Sequence, residues 1–204
     1  MTRRTTRRQF LGGRSASTAP ADGPAREAPQ AAAGPATQEP AGESPLLHVS
    51  RPAMACQFEV FFNHGQYPGA AGAAVEALDL VEALEDQLSY FRSASQISRL
   101  NLVAADGPVP VERRLLELLQ VAMDLYRQSG GAFDITSAPL GEVWGFARRQ
   151  GALPAKADVA EALKSVGSRY VKLDEEKGTV QFTKEGVRLN LGSIGKGYAL
   201  DRAA

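Results

Sequence analysis

Residues 169–191, RYVKLDEEKGTVQFTKEGVRLNL, decide the fold class. Three strand-like runs, Arg169 to Asp174, Thr179 to Thr183 and Val187 to Leu191, follow one another at hairpin distance. The polar turns Glu175-Glu176-Lys177-Gly178 and Lys184-Glu185-Gly186 link them. Such spacing predicts an antiparallel meander, because parallel neighbours need a crossover of a dozen residues or more. Long helical patterns lie upstream of it. The expected class is therefore α+β, an antiparallel or mixed sheet with packed helices, and not a doubly wound α/β fold.

Overlapping the end of the third run is Asn190-Leu191-Gly192-Ser193-Ile194-Gly195-Lys196-Gly197-Tyr198-Ala199-Leu200-Asp201, which reads as a glycine turn opening a helix. Glycine lacks the Cβ that forbids φ > 0, so a sharp turn and a close approach of backbone to ligand are expected. A helix start adds unpaired N–H groups and a positive dipole end, and Lys196 adds a cation. An anion site, with phosphate first, is the chemical expectation; a bare strand-to-helix connection is the plain alternative. Two familiar phosphate motifs do not fit. A Walker A loop would need glycine at 190 and a hydroxyl at 197, where the chain has Asn190 and Gly197. A Rossmann fingerprint places its close glycine pair first, and here the spacing of Gly192, Gly195 and Gly197 is reversed.

Working upstream, Phe58, Val60 and Phe62 alternate within a strand from Ala55 to Phe62. A helix from about Gly69 to Tyr90 carries the stripe Leu78, Val81, Leu84, Leu88 and Phe91. Its acidic side, Glu76, Asp79, Glu82 and Glu85, reads as a solvated face. Ser95 can cap a helical turn that Asn101 can end. A second long helix is expected from Pro110 through Tyr126, stopped by Gly130-Gly131. Residues 132–146 fit neither period and hold the only tryptophan, Trp144, with Phe133, Phe146 and Asp134 in a loop-like stretch. Such a stretch either holds a flat ligand or plugs the core with its rings. Lys156 to Val166 patterns as a short helix closed by Gly167.

Composition excludes some functions. The 204 residues contain 23 basic and 23 acidic side chains, so no global field draws in nucleic acid. One cysteine, Cys56, cannot form an internal disulfide and reads as a buried thiol; His48 and His64 make no zinc pattern. No stretch approaches the ~18 apolar residues of a membrane span. Residues 1–45 read as a disordered tail and residues 46–204 as the folded domain. Thr6-Arg7-Arg8-Gln9-Phe10-Leu11 resembles a twin-arginine signal, but the apolar region that should follow is missing. A cytoplasmic location is favoured over export on that ground.

Five stretches, taken in order, resemble the FAD:protein FMN transferases of the ApbE type. Arg51 to Val60 is similar to the family's opening strand, with Met54-Ala55-Cys56 in place of Met-Gly-Thr. Leu88 to Asn101 is similar to its Ser-x-Tyr segment ending Ser-x-x-Ser-Arg-Leu-Asn. Gly131 to Thr136 matches Gly-x-Phe-Asp-Ile-Thr, Trp144-Gly145-Phe146 matches Trp-Gly-Phe, and Asn190 to Asp201 resembles Asp-Leu-Gly-Gly-Ile-Ala-Lys-Gly-Tyr-Ala-x-Asp. The resemblance implies an α+β fold that uses FAD and Mg²⁺ to move FMN onto a threonine hydroxyl of an acceptor flavoprotein, with release of AMP. Carried over by position, Met54, Phe91, Ala132, Phe133, Asp134, Asn190 and Lys196 would contact FAD, and Ser193 would touch the metal. No residue is assigned as catalytic. Three departures stand out: Ala55-Cys56 for Gly-Thr, Phe91 for a tyrosine, and Asn190 for an aspartate. An amide in place of a carboxylate weakens attraction for Mg²⁺, so an FAD-binding module without transfer, or an FAD pyrophosphatase giving FMN and AMP, are the alternatives. The last helix is short, and the family's remaining metal ligands, an aspartate and a threonine, are not in this chain; its end therefore reads as truncation.

Overall fold

A computed structural model describes residues 44–146 and 153–204. The twin-arginine-like motif and nearly all of the tail expected over 1–45 lie outside the described residues.

The chain enters as a hairpin, β1 (Leu46–Ala53) antiparallel to β2 (Cys56–Asn63), with Val49 opposite Val60 and Ala53 opposite Cys56. Phe58 is buried on the inner face, as the alternation predicts. Strand β1 escapes a sequence reading because one inward position is an arginine. Arg51 reaches from it to Asp79 and Glu82 on the helix α1 (Ala70–Leu88) that packs on the hairpin. The acidic side of α1 is thus not wholly solvated: Arg51 holds two of its carboxylates, and Arg92 holds Glu85 at 2.7 Å. Cys56 also differs from expectation. It follows the hairpin turn and is exposed, its Sγ donating to the Ala53 carbonyl at 3.4 Å.

Helix α1 buries Leu78, Val81, Leu84 and Leu88 of the stripe read from its period, with Ala74 added, whereas Phe91 lies beyond the helix end and is exposed. Helix α2 (Gln96–Val103) starts at Ser95, whose Oγ accepts the Ser98 N–H at 2.9 Å. It runs two residues past Asn101, which does not end it. The expected first-turn proline of the second long helix lies elsewhere: Pro110 belongs to β3 (Val109–Pro110), and α3 (Arg113–Gln128) begins three residues later. Proline lacks an N–H to donate, which suits this outer strand of its sheet. The stretch over 132–146 contains a short helix, α4 (Ala138–Val143), packed on α5 (Lys156–Leu163).

The meander is half present. After a 3-10 turn, Ser168–Tyr170, strands β4 (Val171–Asp174) and β5 (Thr179–Phe182) pair antiparallel as expected. The third partner is β3, in the order β3-β5-β4, and not Val187 to Leu191. Among the described residues that segment joins no ladder, although Val187, Leu189 and Leu191 are all buried. Helix α6 (Gly195–Ala203) then packs against α1. One core gathers side chains from α1, α2, α3, α6 and both sheets, with Leu119, Ile97, Val180 and Leu189 fully enclosed. The architecture is α+β, built of small antiparallel sheets and helices.

Candidate functional site

A cavity of about 170 Å³ opens where three elements meet. One wall is the Met54-Ala55 hairpin turn. Another is the end of α1 with the turn after it, from Glu85 and Leu88 to Phe91. The third is the Asn190–Gly192 segment with Gly195 and Lys196 at the start of α6. Of the residues singled out from sequence, Met54, Phe91, Asn190 and Lys196 are thereby brought together. The other four lie elsewhere. Ala132 is exposed, Phe133 packs on the core, and Asp134 turns its carboxylate to Thr136 and Ser168. Ser193 lines a separate groove between α3 and α6 with Glu117 and Asp201.

The hairpin turn is strained. Met54 and Ala55 both have positive φ, 50° and 59°, as the central pair of a two-residue hairpin loop of the mirror-image type requires. A left-handed non-glycine residue costs roughly 1–2 kcal/mol, so the turn persists because the paired strands impose it. The glycines across the cavity behave otherwise than expected: Gly192, Gly195 and Gly197 have no positive φ. Their use is room. A Cβ on Gly192 would stand 3.1 Å from Asn190 Oδ1, whereas Gly195 faces open space into the cavity. Replacing Ala55 by glycine should relieve the turn. Ala55→Gly is expected to raise stability by about 1 kcal/mol in urea unfolding; a lowered midpoint would contradict a strained turn.

The third wall is held by groups far away in sequence. Asn101 Oδ1 accepts the Leu189 N–H at 2.7 Å and its Nδ2 donates to the Leu189 carbonyl at 2.9 Å. The Asn190 N–H donates to the Ile135 carbonyl at 2.7 Å, and Asn190 Oδ1 accepts the Gly192 N–H at 2.9 Å. Arg188 Nη1 donates to Glu142 Oε1 at 2.6 Å, and the Tyr90 hydroxyl donates to the same oxygen. Glu142 of α4 thus ties the Tyr90-Phe91 turn to the segment that floors the cavity. Burial, and then this bond, hold the Tyr90 hydroxyl above the usual tyrosine range, with Arg188 pulling the other way. A raised phenol favours the neutral form in the folded state, so its contribution is present at neutral pH and fades as pH rises past that range.

Electrostatics and shape meet at Lys196. In the first turn of α6, the Lys196 and Gly197 N–H groups have no bonded carbonyl among the described residues, and the Lys196 side chain is exposed beside them. Opposite stands Phe91, 73% exposed, with Tyr90 edge-on to it at 5.2 Å. An accessible ring and a cation on one cavity suit a flat ligand with an anionic group. Sequence reasoning missed Glu85, Tyr90, Asn101, Glu142 and Arg188, since none sits in the glycine stretch. The available signal was that all five belong to or flank motifs already singled out.

Residues 54–204 match the model of the ApbE family. The chain belongs to the ApbE family. Two curated relatives are FAD:protein FMN transferases: that of Klebsiella pneumoniae (strain 342), 32% identical over 63% of this chain and 41% of its own, and that of Treponema pallidum (strain Nichols), 33% identical over 64% and 37%. Among solved structures, the ApbE protein from Thermotoga maritima superposes with a TM-score of 0.72 at 27% identity, over 78% of this chain and 51% of its own. The chain therefore spans about two fifths to one half of the length of these ApbE-family relatives. No described helix is long and apolar enough to cross a membrane.

Proposed function

We propose that this ApbE-family protein is an FAD:protein FMN transferase, moving the FMN part of FAD onto a threonine hydroxyl of an acceptor flavoprotein and releasing AMP. The observation that carries the reading is the single cavity joining the exposed face of Phe91 to Lys196 at the start of α6. A flavin dinucleotide is a flat ring system joined to a diphosphate, and these are the two features that a ring and a cation recognise. Relatives named for this reaction support it.

In this reading Met54 and Leu88 supply apolar contact, Phe91 stacks, and Lys196 with the free N–H groups beside it neutralises the diphosphate. Transfer forms a phosphoester to the threonine oxygen and breaks the diphosphate, AMP leaving with the second phosphate; the threonine proton is lost. Charge grows on the bridging oxygen as that bond breaks, so a fixed cation contributes most in the transition state. At about 170 Å³ the cavity encloses only part of FAD, since pockets for whole cofactors run to ~300–1,000 Å³.

The proposal extends to Mg²⁺, which when bound would supply Lewis-acid neutralisation of phosphoryl oxygens. The described residues do not complete its site. Ser193 offers a hydroxyl, no group of three acidic, histidine or cysteine side chains converges among them, and the Asn190 oxygen accepts the Gly192 N–H. No step here is assigned to the metal.

The test is incubation of the protein with FAD, Mg²⁺ and a threonine-bearing acceptor flavoprotein. Covalently bound flavin on the acceptor, seen by in-gel fluorescence, and AMP in equal amount are expected. AMP without a labelled acceptor would show hydrolysis instead, and retained FAD without AMP would show a binding module.

A further inference from the structure

Val187, Leu189 and Leu191 alternate as buried positions, the pattern of a strand, yet they join no ladder among the described residues. Buried backbone N–H and C=O groups still need partners. For Leu189 both come from one side chain. The Asn101 carboxamide accepts its N–H at 2.7 Å and donates to its carbonyl at 2.9 Å, the pair of bonds that a residue of an adjacent antiparallel strand would make. An asparagine on a helix thus makes the bonds that a neighbouring strand would make. One residue further on, the backbone enters the cavity as Asn190, and α6 with Lys196 follows.

We infer that Asn101 is a positioning residue of the site: it fixes the height and register of Leu189, and through it the place of Asn190, Gly192 and Lys196 on the cavity floor. It lines no part of the cavity itself. The inference rests on the FAD reading for its ligand but on the two Leu189 bonds for its mechanism. Only an amide satisfies both backbone groups. A leucine satisfies neither. An ionised aspartate still accepts the N–H but sets a negative oxygen against the Leu189 carbonyl, and only its protonated form donates there.

The test measures FAD affinity by flavin fluorescence across the mildly acidic to neutral range for wild type, Asn101→Leu and Asn101→Asp. Asn101→Leu is expected to bind about tenfold more weakly at every pH. Asn101→Asp should match it at neutral pH and recover toward wild type as pH falls through its carboxyl titration, while the wild-type profile stays flat by comparison. Parallel profiles for the two variants, or affinities within about twofold of wild type, would overturn the inference. Amide exchange of the free protein supplies a readout independent of flavin. In Asn101→Leu the Leu189 and Asn190 amides should lose protection while those of α1 and α3 keep theirs. Uniform loss across α1 and α3 would overturn a local positioning role. Should wild type bind no FAD, the functional reading falls and the exchange pattern alone decides the role of Asn101.

Discussion

Asp134→Ala is expected to lose about 3 kcal/mol of folding stability, to be seen as a fall of about 6–12 °C in Tm for a domain of this size. The Asp134 carboxylate collects four donors. Oδ1 accepts the Thr136 N–H at 2.8 Å, the Thr136 hydroxyl at 2.6 Å and the Ser168 hydroxyl at 2.8 Å, and Oδ2 accepts the Ser168 N–H at 3.2 Å. Thr136 is fully buried, Ser168 nearly so, and the Thr136 Oγ1 in turn accepts the Gly167 N–H at 2.7 Å. Removing the acceptor strands buried donors that water cannot reach, and each costs on the order of 1–3 kcal/mol. Asp134→Asn keeps one acceptor oxygen and should lose less than Asp134→Ala. A Tm for Asp134→Ala within about 2 °C of wild type would show that the network adds little. The same network bears on the site. It sets the loop that offers the Ile135 carbonyl to Asn190, so Asp134 acts on the cavity floor through the backbone, with its own oxygens already engaged.

On the proposed function, Lys196→Ala is expected to weaken FAD binding about tenfold at low ionic strength, roughly 1.4 kcal/mol. A cation about 4 Å from a phosphate gains ~4 kcal/mol at an effective dielectric of ~20, and the exposure of Lys196 discounts that figure toward the smaller value. The salt dependence separates charge from shape. Near ~1 M salt the Debye length shrinks to ~3 Å, so wild type should lose affinity while Lys196→Ala changes little, and the two should converge. A titration followed by flavin fluorescence at two salt concentrations reads both effects. Equal affinities at low salt would remove Lys196 from the diphosphate site, and a gap that persists at high salt would point to lost packing of its alkyl stem.

Helices α1 and α3, the Ser95 cap, the β4–β5 hairpin and the start of α6 follow from patterns between near neighbours in the chain. A stripe at three- and four-residue steps, or a hydroxyl before a helical turn, acts over one or two turns, so the sequence carries its own evidence. The motifs at Met54, Phe91, Asn190 and Lys196 likewise pointed to an ApbE-type flavin site. Their order along the chain was visible there, and so were the departures at Ala55 and Asn190.

What only the tertiary structure decided is which distant groups complete one another. An extended, buried segment can be paired by a strand or by a single amide. Leu189 is paired by Asn101, 88 residues earlier in the chain, and among the described residues joins no ladder. Arg51 concealed β1 because its inward position is satisfied by two carboxylates that no local pattern reveals. Strain likewise sits at Met54-Ala55, where strand pairing imposes it, and not at Gly192, Gly195 or Gly197. The amino-acid sequence determined the two long helices, the α+β class and the family of this protein; the fold determined which backbone groups were left for side chains to satisfy, because a hydrogen bond depends on proximity in space and not on spacing along the chain.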